Sequence, residues 1–382
     1  MSAGGTVASS TTAPPEDEPS PEAPPAPRSR RRWVPPALAL ALVALCLIAA
    51  GRGQLEIPPN EVAGSVAHGL AGLLEGIGLR VSVPSWLPMP SHPQGEAALW
   101  QVRFPRIALA ALVGAALAAA GALMQGVFGN PLAEPAIIGV SPGAAVGASV
   151  TIVMGWNFLG TWTVPTAAFL AALVTTILVY SLSRSGGRTE SVTLILTGVA
   201  ITAIASAMVA ATTFLASTTA REQIVFWQLG SLNGARWQAV LTVAPFIAVG
   251  LVASLVLARR LDLLSLGERA ARHLGVNVER LRVVTIVAIA ILVGAGVAFA
   301  GVIAFVGLVV PHLIRLTCGP GHRLLLPASA LGGATLLVGA DLVARTAVEY
   351  ADLPLGMLTA AIGGPFFLWL MRRSRAYQGG WG

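Results

Sequence analysis

The chain has 382 residues, of which 55% are hydrophobic and 11% are charged, and its formal net charge is +7. So little charge cannot cover a soluble domain, in which about 25% of residues are charged, and the composition therefore predicts a membrane protein. All 24 basic residues are arginines. Because they lie at the ends of apolar runs, they indicate membrane topology rather than nucleic-acid binding.

Residues 1–32 form an arm that is rich in Pro, Ala, Ser and Glu and ends in a cluster of arginines. No apolar periodicity precedes Trp33, so the arm has too little apolar surface to offset its ordering entropy and is expected to be disordered. The cluster and the apolar run at 34–50 also fit the start of a signal peptide. Since no A-x-A-like cleavage site follows, a retained first helix is the preferred interpretation.

Ten apolar runs approach the length of about 20 residues at which a helix crosses a hydrocarbon layer of about 30 Å. We therefore predict an all-α, polytopic membrane protein with about ten transmembrane helices. The uncharged stretch between Glu134 and Arg184 is too long for one span and is divided at 155–162. The predicted spans are residues 33–50, 107–125, 137–154, 164–182, 192–212, 239–257, 283–299, 301–314, 324–340 and 355–371.

The arginines of the connecting segments predict the orientation of these spans. With residues 1–32 in the cytoplasm, alternate segments place 17 arginines inside and 7 outside, so both termini are expected in the cytoplasm. The membrane domain is predicted to cover 33–373 and a cytoplasmic tail 374–382. A long outer loop at 51–106 has only a weak helical pattern, at 61–74, and is expected to be partly ordered at best.

The interiors of the predicted spans lack ionisable residues, and Asp341, Arg345, Glu349 and Asp352 lie near span ends. Carriers coupled to protons or sodium usually keep such groups inside the membrane. A P-loop is also excluded, because its lysine reaches the nucleotide phosphates and this chain has no lysine. We therefore expect no catalytic residue and no metal site in this chain, and an ATPase that is a separate subunit.

A cytoplasmic segment at 259–282 combines short apolar runs with charged residues. Its first run contains Leu261, Leu263, Leu264 and Leu266 and ends at Gly267. A second apolar side, formed by Ala270, Ala271 and Leu274, precedes Gly275, and Glu268 and Arg272 form an i, i+4 pair on the polar side. Two short amphipathic helices are therefore predicted. Such helices suit either a groove in a partner protein or the lipid headgroups.

The same segment, LDLLSLGERAARHLGV at 261–276, resembles the coupling-helix segment of the iron-chelate and cobalamin uptake permeases, the membrane subunits of type II ATP-binding-cassette (ABC) importers. The resemblance covers about residues 100–375. Further motifs occur in the family's order: VRFPRIALAALVGAALAAAGALMQGVFGNPLAEP at 102–135, IIGVSPGAAVGA at 137–148, FWQLGSLNGARW at 226–237, GVIAFVGLVVPHLIRL at 301–316, ADLVAR at 340–345 and DLPLGMLTAAIGGPFFLWLMRR at 352–373.

The resemblance implies the type II ABC importer permease fold in the inner membrane of a bacterium. It also implies a second permease copy or a paralogue, an extracytoplasmic substrate-binding protein, and two ABC ATPase subunits that bind ATP and Mg, so that no cofactor is expected in this chain. The expected substrate is a ferric siderophore or haem, with cobalamin second. The competing interpretations are an ion-coupled secondary carrier and a non-transporting membrane scaffold.

The resemblance further assigns roles to single residues. It implies that ATPase coupling falls on Leu264, Gly267, Glu268, Ala270, Ala271, Leu274 and Gly275. It implies that the binding protein docks on Arg103, Arg106 and Arg345. The first two arginines also suit a headgroup anchor, and Arg345 also suits pairing with Asp341 or Glu349. The translocation path is assigned Trp227, Gly230, Ser231, Asn130 and Pro131, although a turn at Asn130 and an interfacial anchor at Trp227 explain those residues equally.

Overall fold

The structure, a computed structural model, describes residues 28–79, 81–185, 188–189 and 191–377. Of the predicted disordered arm at 1–32, residues 1–27 lie outside the described residues, as does the end of the predicted tail, 378–382; residues 28–32 are helical, which the sequence did not predict. Helix α1 (Arg28–Gly51) begins inside the arginine cluster, a few residues before the predicted first span. Helix α14 (Leu355–Tyr377) continues past residue 373, so the predicted boundary between membrane domain and tail falls inside a helix.

Helices account for nearly all of the regular secondary structure of the described residues, and seven of the described helices are long and apolar enough to cross a membrane. The remaining three predicted spans correspond to shorter apolar helices. The prediction of an all-α membrane protein with about ten spans is therefore confirmed. In chain order the ten are α1, α4 (Phe104–Phe128), α5 (Val140–Val153), α6 (Thr163–Leu182), α7 (Ser191–Leu215), α9 (Trp237–Leu264), α11 (Val278–Ala300), α12 (Val306–Cys318), α13 (His322–Thr346) and α14.

Helix α4 is buried over most of its length and contacts α9, α11, α12 and α13. Small residues allow this close packing, because they let helix backbones approach each other. A Cβ atom on Gly114 would overlap the carbonyl oxygen of Gly333 on α13, and one on Gly121 would overlap that of Gly307 on α12. Larger side chains at these positions would push the helices apart.

The outer loop at 51–106 is more ordered than the sequence predicts. It contains helix α2 (Pro59–Gly76), and a further helical tract of α3 (Gly95–Ala97) and a π-helical stretch (Ala98–Arg103) leads directly into α4. Ser65 of α2 donates a hydrogen bond to Glu96 (Oγ to Oε2, 2.7 Å) and accepts one from Trp100 (Nε1 to Oγ, 2.9 Å). These bonds attach α2 to the start of α4.

The inner segment at 259–282 contains one short helix of its own, α10 (Glu268–His273), rather than two. The predicted first amphipathic piece is the last turn of α9, which ends at Leu264. On the same side as the α9–α11 connection, α6 and α7 are joined through two antiparallel strands of two residues each, β1 (Arg184–Ser185) and β2 (Arg188–Thr189).

Two of the membrane helices are short because their neighbouring segments are not helical. Helix α11 ends at Ala300 as predicted, but α12 begins only at Val306, and the intervening residues are irregular. Since Gly307 contacts Gly121 well inside α4, α12 starts within the bundle. Helix α5 likewise follows a turn at 129–139 that includes a 3-10 helix (Pro135–Ile138). Helix α8 (Thr218–Leu229) lies between α7 and α9.

Candidate functional site

A cavity of about 880 Å³ lies between α5, α7 and α8 and reaches Val302 in the irregular segment before α12. Its volume falls in the range of about 300 to 1,000 Å³ that is typical of ligand pockets. Most of its lining is small or apolar, with a few hydroxyl and amide groups; the polar lining residues are Ser141, Ser206, Thr213, Arg221 and Gln228. The cavity therefore suits a largely apolar cargo that carries a few polar groups.

Arg221 is the only charged residue among those that line this cavity. Its guanidinium donates hydrogen bonds to two backbone carbonyls, from Nε to the oxygen of Thr213 (3.2 Å) and from Nη2 to that of Ala216 (3.3 Å). No carboxylate among the described residues lies within ion-pair distance of it. Its positive charge therefore remains available to an anionic group in the cavity.

Three of the predicted path residues meet the irregular segment at 301–305. Gly230 has φ +70°, a conformation that favours glycine, and a Cβ atom there would crowd the carbonyl oxygen of Val302. The N–H of Ser231 donates to the carbonyl of Ala300 (2.9 Å), and the carbonyl of Gly230 accepts from the N–H of Leu355 (2.9 Å). Trp227 and Ser231 line a second cavity, of about 500 Å³.

The other two predicted path residues, Asn130 and Pro131, lie apart from both cavities, in the exposed turn after α4. The Asn130 side chain accepts a hydrogen bond from the N–H of Leu132 (2.9 Å), which is the Asx-turn geometry. Asn130 therefore shapes the turn, as the alternative interpretation states.

Glu134, in the same turn, is a site residue that was not predicted. Its Oε1 accepts a hydrogen bond from the N–H of Phe305 (3.2 Å), the residue that precedes α12 and has φ +68°. Burial raises the pKa of the Glu134 carboxyl, and the Phe305 hydrogen bond offsets part of that rise. Since Ala136 and Val302 line the large cavity, this bond joins the two chain segments that border it.

Replacing Glu134 by glutamine is expected to leave the chain at least as stable, because the amide oxygen still accepts the Phe305 N–H and the cost of burying a charge disappears. Replacement by alanine is expected to cost about 1 kcal/mol, since the N–H loses its acceptor. Unfolding of the purified chain in detergent micelles measures both effects. A glutamine variant that is less stable than the alanine variant would contradict this role.

The three predicted docking arginines all have partners within the chain. Arg103 is buried and donates to the carbonyls of Ala50 and Leu55, at the end of α1 and in the loop that follows. Arg345 donates to the carbonyls of Ala49 and Arg52, the latter at 3.1 Å. Both guanidinium groups therefore hold the end of α1 against the start of α4 and the end of α13.

Arg106 forms an ion-pair cluster with a buried aspartate, Asp341, and an exposed one, Asp352. Its Nε lies 2.9 Å from Oδ1 of Asp341 on α13, and its Nη1 lies 2.8 Å from Oδ2 of Asp352, just before α14. Arg345 also lies near Asp341 (Nε to Oδ2, 3.8 Å), which confirms that alternative pairing. Exposed arginines do occur on this side of the described structure: Arg52, paired with Glu56 (3.3 Å), and Arg236.

The residues of the predicted coupling segment divide into buried and exposed groups. Leu264 and Ala271 pack inside this chain, whereas Leu274, 57% exposed, and Leu266 point outwards. Gly267 and Gly275 flank α10 with φ +100° and +83°. Glu268 pairs with Arg272 (3.3 Å) and with Arg282 of α11, and Ala270 is half-buried. The apolar surface that a partner can reach is therefore Leu266 and Leu274.

Comparison with known proteins gives consistent matches over most of the chain. A family model described as the FecCD transport family matches residues 40–373. The chain is 43% identical over 290 residues to the hemin transport system permease protein HmuU of Yersinia pestis, which covers 74% of this chain and 86% of that protein. It is 37% identical over 348 residues to the vitamin B12 import system permease protein BtuC of Klebsiella pneumoniae, covering 91% and 96% respectively.

Two further matches extend this comparison. The chain is 44% identical over 274 residues to the cobalamin import system permease protein BtuC of Halobacterium salinarum, covering 71% of this chain and 72% of that protein. A solved structure described as a metal-chelate type ABC transporter in an inward-facing conformation matches with a TM-score of 0.75 and 34% identity. The match covers 90% of this chain and 99% of that one.

Proposed function

The chain belongs to the FecCD transport family, and from this membership we propose that it is the permease subunit of an ATP-driven importer for an iron chelate, either haem or a ferric siderophore. A binding protein outside the cell delivers the substrate. Two separate ABC ATPase subunits bind ATP and Mg and drive transport, and this chain performs no catalysis. It resides in the inner membrane of a bacterium with both termini in the cytoplasm.

The observation that carries the choice of substrate is Arg221 in the large cavity. The named relatives include permeases for haem and for cobalamin, so sequence identity does not decide between them. Haem carries two propionate carboxylates on an apolar ring, and a guanidinium pairs well with carboxylates. Cobalamin carries neutral amides around its corrin ring and a single phosphodiester, so it offers a cation fewer anionic groups than the two carboxylates of haem. The charge of Arg221 therefore favours an anionic chelate, with cobalamin as the second candidate.

The proposed second permease copy covers the side of the cavity formed by α7. Helix α7 leaves Ile204, Met208 and Phe214 exposed next to the cavity-lining Ala205, Val209 and Thr213. A second copy placed there encloses the cavity between two subunits, as a central path requires. A paralogue with a similar α7 would serve equally.

Replacing Arg221 by glutamine is expected to lower uptake of haem by roughly tenfold or more, because a charge-assisted hydrogen bond contributes about 1.5 to 3 kcal/mol. Uptake of cobalamin is expected to change little. The measurement is uptake of haem, a ferric siderophore and cobalamin by cells that carry only the variant permease. The matched control is Arg236→Gln, an exposed arginine on the outer side. Equal loss for all three substrates, or no loss for haem, would contradict the assignment.

A further inference from the structure

A contact between a half-buried aspartate and a buried histidine joins the helix before α10 to the first residue of α13. Asp262 lies in the last turn of α9, and its Oδ1 accepts two hydrogen bonds from His322, from the backbone N–H (2.7 Å) and from Nδ1 (2.8 Å). The residue before His322, Gly321, offers no side-chain cap. Asp262 therefore caps the N-terminus of α13 from a different helix, as an N-cap residue does within one chain segment.

The imidazole of His322 extends this contact to α4. The residue is 3% exposed, and a Cβ atom placed on Gly126 would overlap its Nε2. Gly126 lies in the last turn of α4, shortly before the turn that begins at Asn130 and contains Glu134. A displacement of Asp262 is therefore passed through His322 to the last turn of α4, which leads directly into the turn that borders the cavity.

Neighbouring polar contacts bring α12 to the same place. Gln125, adjacent to Gly126, donates from Nε2 to the carbonyl of Leu308 (3.2 Å) and accepts from Nη2 of Arg315 (3.4 Å). Leu308 and Arg315 both belong to α12, whose first turn contacts Glu134 through Phe305. Four helices, α4, α9, α12 and α13, thus converge around His322.

Asp262 is also close in sequence to the start of α10. Glu268 at the start of α10 pairs with Arg282 of α11, so α10 is attached to the bundle. A force applied to α10 by a partner therefore reaches the end of α9. At that end of α9, the side chain of Asp262 binds a second membrane helix, α13.

We propose that the Asp262–His322 contact relays movement of the α10 segment to the inner ends of α4 and α13, and so couples ATP hydrolysis to opening of the path. This inference rests on the proposed function, because it requires an ATPase bound at α10. Asp262 and His322 are positioning residues that touch neither substrate nor nucleotide. Energetic coupling between distant sites is carried by chains of packed side chains and hydrogen bonds, and this contact supplies one such link.

The test uses the complete complex of permease, ATPase subunits and binding protein in liposomes, with haem as the probe. ATP hydrolysis and haem uptake are measured on the same vesicles, and the readout is haem transported per ATP hydrolysed. For Asp262→Ala this ratio is expected to fall at least about fivefold, the lower end of typical coupling energies, while hydrolysis continues. Asp262→Asn is expected to restore the ratio, because its amide oxygen accepts the same two hydrogen bonds.

The double variant Asp262→Ala, His322→Ala is expected to be no worse than either single variant, because the contact is already lost. Arg323→Gln, exposed and next to His322, is the control and is expected to keep the wild-type ratio. An Asp262→Ala complex with an unchanged ratio overturns the relay. If that complex does not assemble, Gly126→Ala decides, since its added methyl group displaces the His322 ring, and an unchanged ratio there also overturns the relay.

The wild-type complex separates this inference from the proposed function. Absence of ATP-driven uptake by the wild-type complex counts against the proposed function. Wild-type uptake combined with unchanged ratios in the variants counts against the relay alone.

Discussion

Replacing Arg106 by alanine is expected to lower the free energy of unfolding by about 3 to 5 kcal/mol, the usual cost of leaving one member of a buried ion pair without its partner. Asp341 is 1% exposed and lies 2.9 Å from Arg106. In the variant its nearest cation is Arg345, at 3.8 Å, which is itself occupied by the carbonyls of Ala49 and Arg52. Asp352 also loses its pairing with Arg106.

Unfolding of the purified chain in detergent micelles measures this effect. Arg52→Ala is the matched control, because Arg52 pairs with Glu56 at the surface with 67% of its side chain exposed, and exposed pairs contribute about 0 to 1 kcal/mol. The Arg106 variant also distinguishes docking of the binding protein from pairing with aspartates inside the chain. A variant of normal stability that fails to bind the substrate-binding protein would establish docking instead of internal pairing.

Replacing Leu274 by glutamate is expected to abolish co-purification of the ATPase subunits while the permease still folds. Leu274 is 57% exposed beside α10, so a carboxylate there remains solvated in the isolated chain and is buried only when a partner groove covers it. Burying an unpaired charge in such an interface costs several kcal/mol. Leu266→Glu, on the same exposed surface, is expected to behave alike.

Leu264→Glu is the informative comparison, because Leu264 is 8% exposed and belongs to the core of this chain. This substitution is expected to destabilise the permease itself, so loss of the ATPase would accompany loss of folded protein. Affinity purification of the complex at matched membrane expression, with unfolding measured in parallel, distinguishes the two cases. If the Leu274 variant retains the ATPase, α10 lies on the lipid headgroups and does not form the docking surface.

Much of the architecture follows from the sequence because apolar length is a local property. Each of the ten predicted spans overlaps a helix, and the importer-permease fold that the resemblance implies is confirmed by the structural match. The start of α12 could not be predicted from the local sequence. Residues 301–305 are as apolar as the predicted membrane spans. They are not helical, because Gly301 and Phe305 have positive φ and the carbonyl of Ala300 accepts a hydrogen bond from the N–H of Ser231 in another loop.

In the candidate site, too, local spacing predicts some contacts, whereas contacts between distant parts of the chain are not predicted. The i, i+4 spacing of Asp341 and Arg345 is visible in the sequence, and that pairing was considered. The partners of Arg106, Glu134 and Asp262 are distant along the chain, and no spacing rule connects them: Asp341 is 235 residues from Arg106, Phe305 is 171 from Glu134, and His322 is 60 from Asp262. These contacts are set by which helices pack together, which a single sequence does not specify.

For the three predicted docking arginines, the resemblance assigns a role to each position but says nothing of the contacts that each side chain makes. Motif matching identifies Arg103, Arg106 and Arg345 as a group, and the structure does place their side chains at the same end of the bundle. It also gives each of them a partner inside the chain, which composition and motif alone do not reveal. Arg52 and Arg236, which the motif assignment did not select, are exposed at that end of the described structure, as is Arg221 beside the large cavity.

The most direct test of the proposal that separate ATPase subunits drive this permease is haem uptake by liposomes that contain the purified permease. With the ATPase subunits, the binding protein and ATP present, we expect haem to accumulate, and removing any one of the three is expected to stop it. Accumulation by the permease alone, driven by a proton or sodium gradient, would contradict the assignment and establish a secondary carrier.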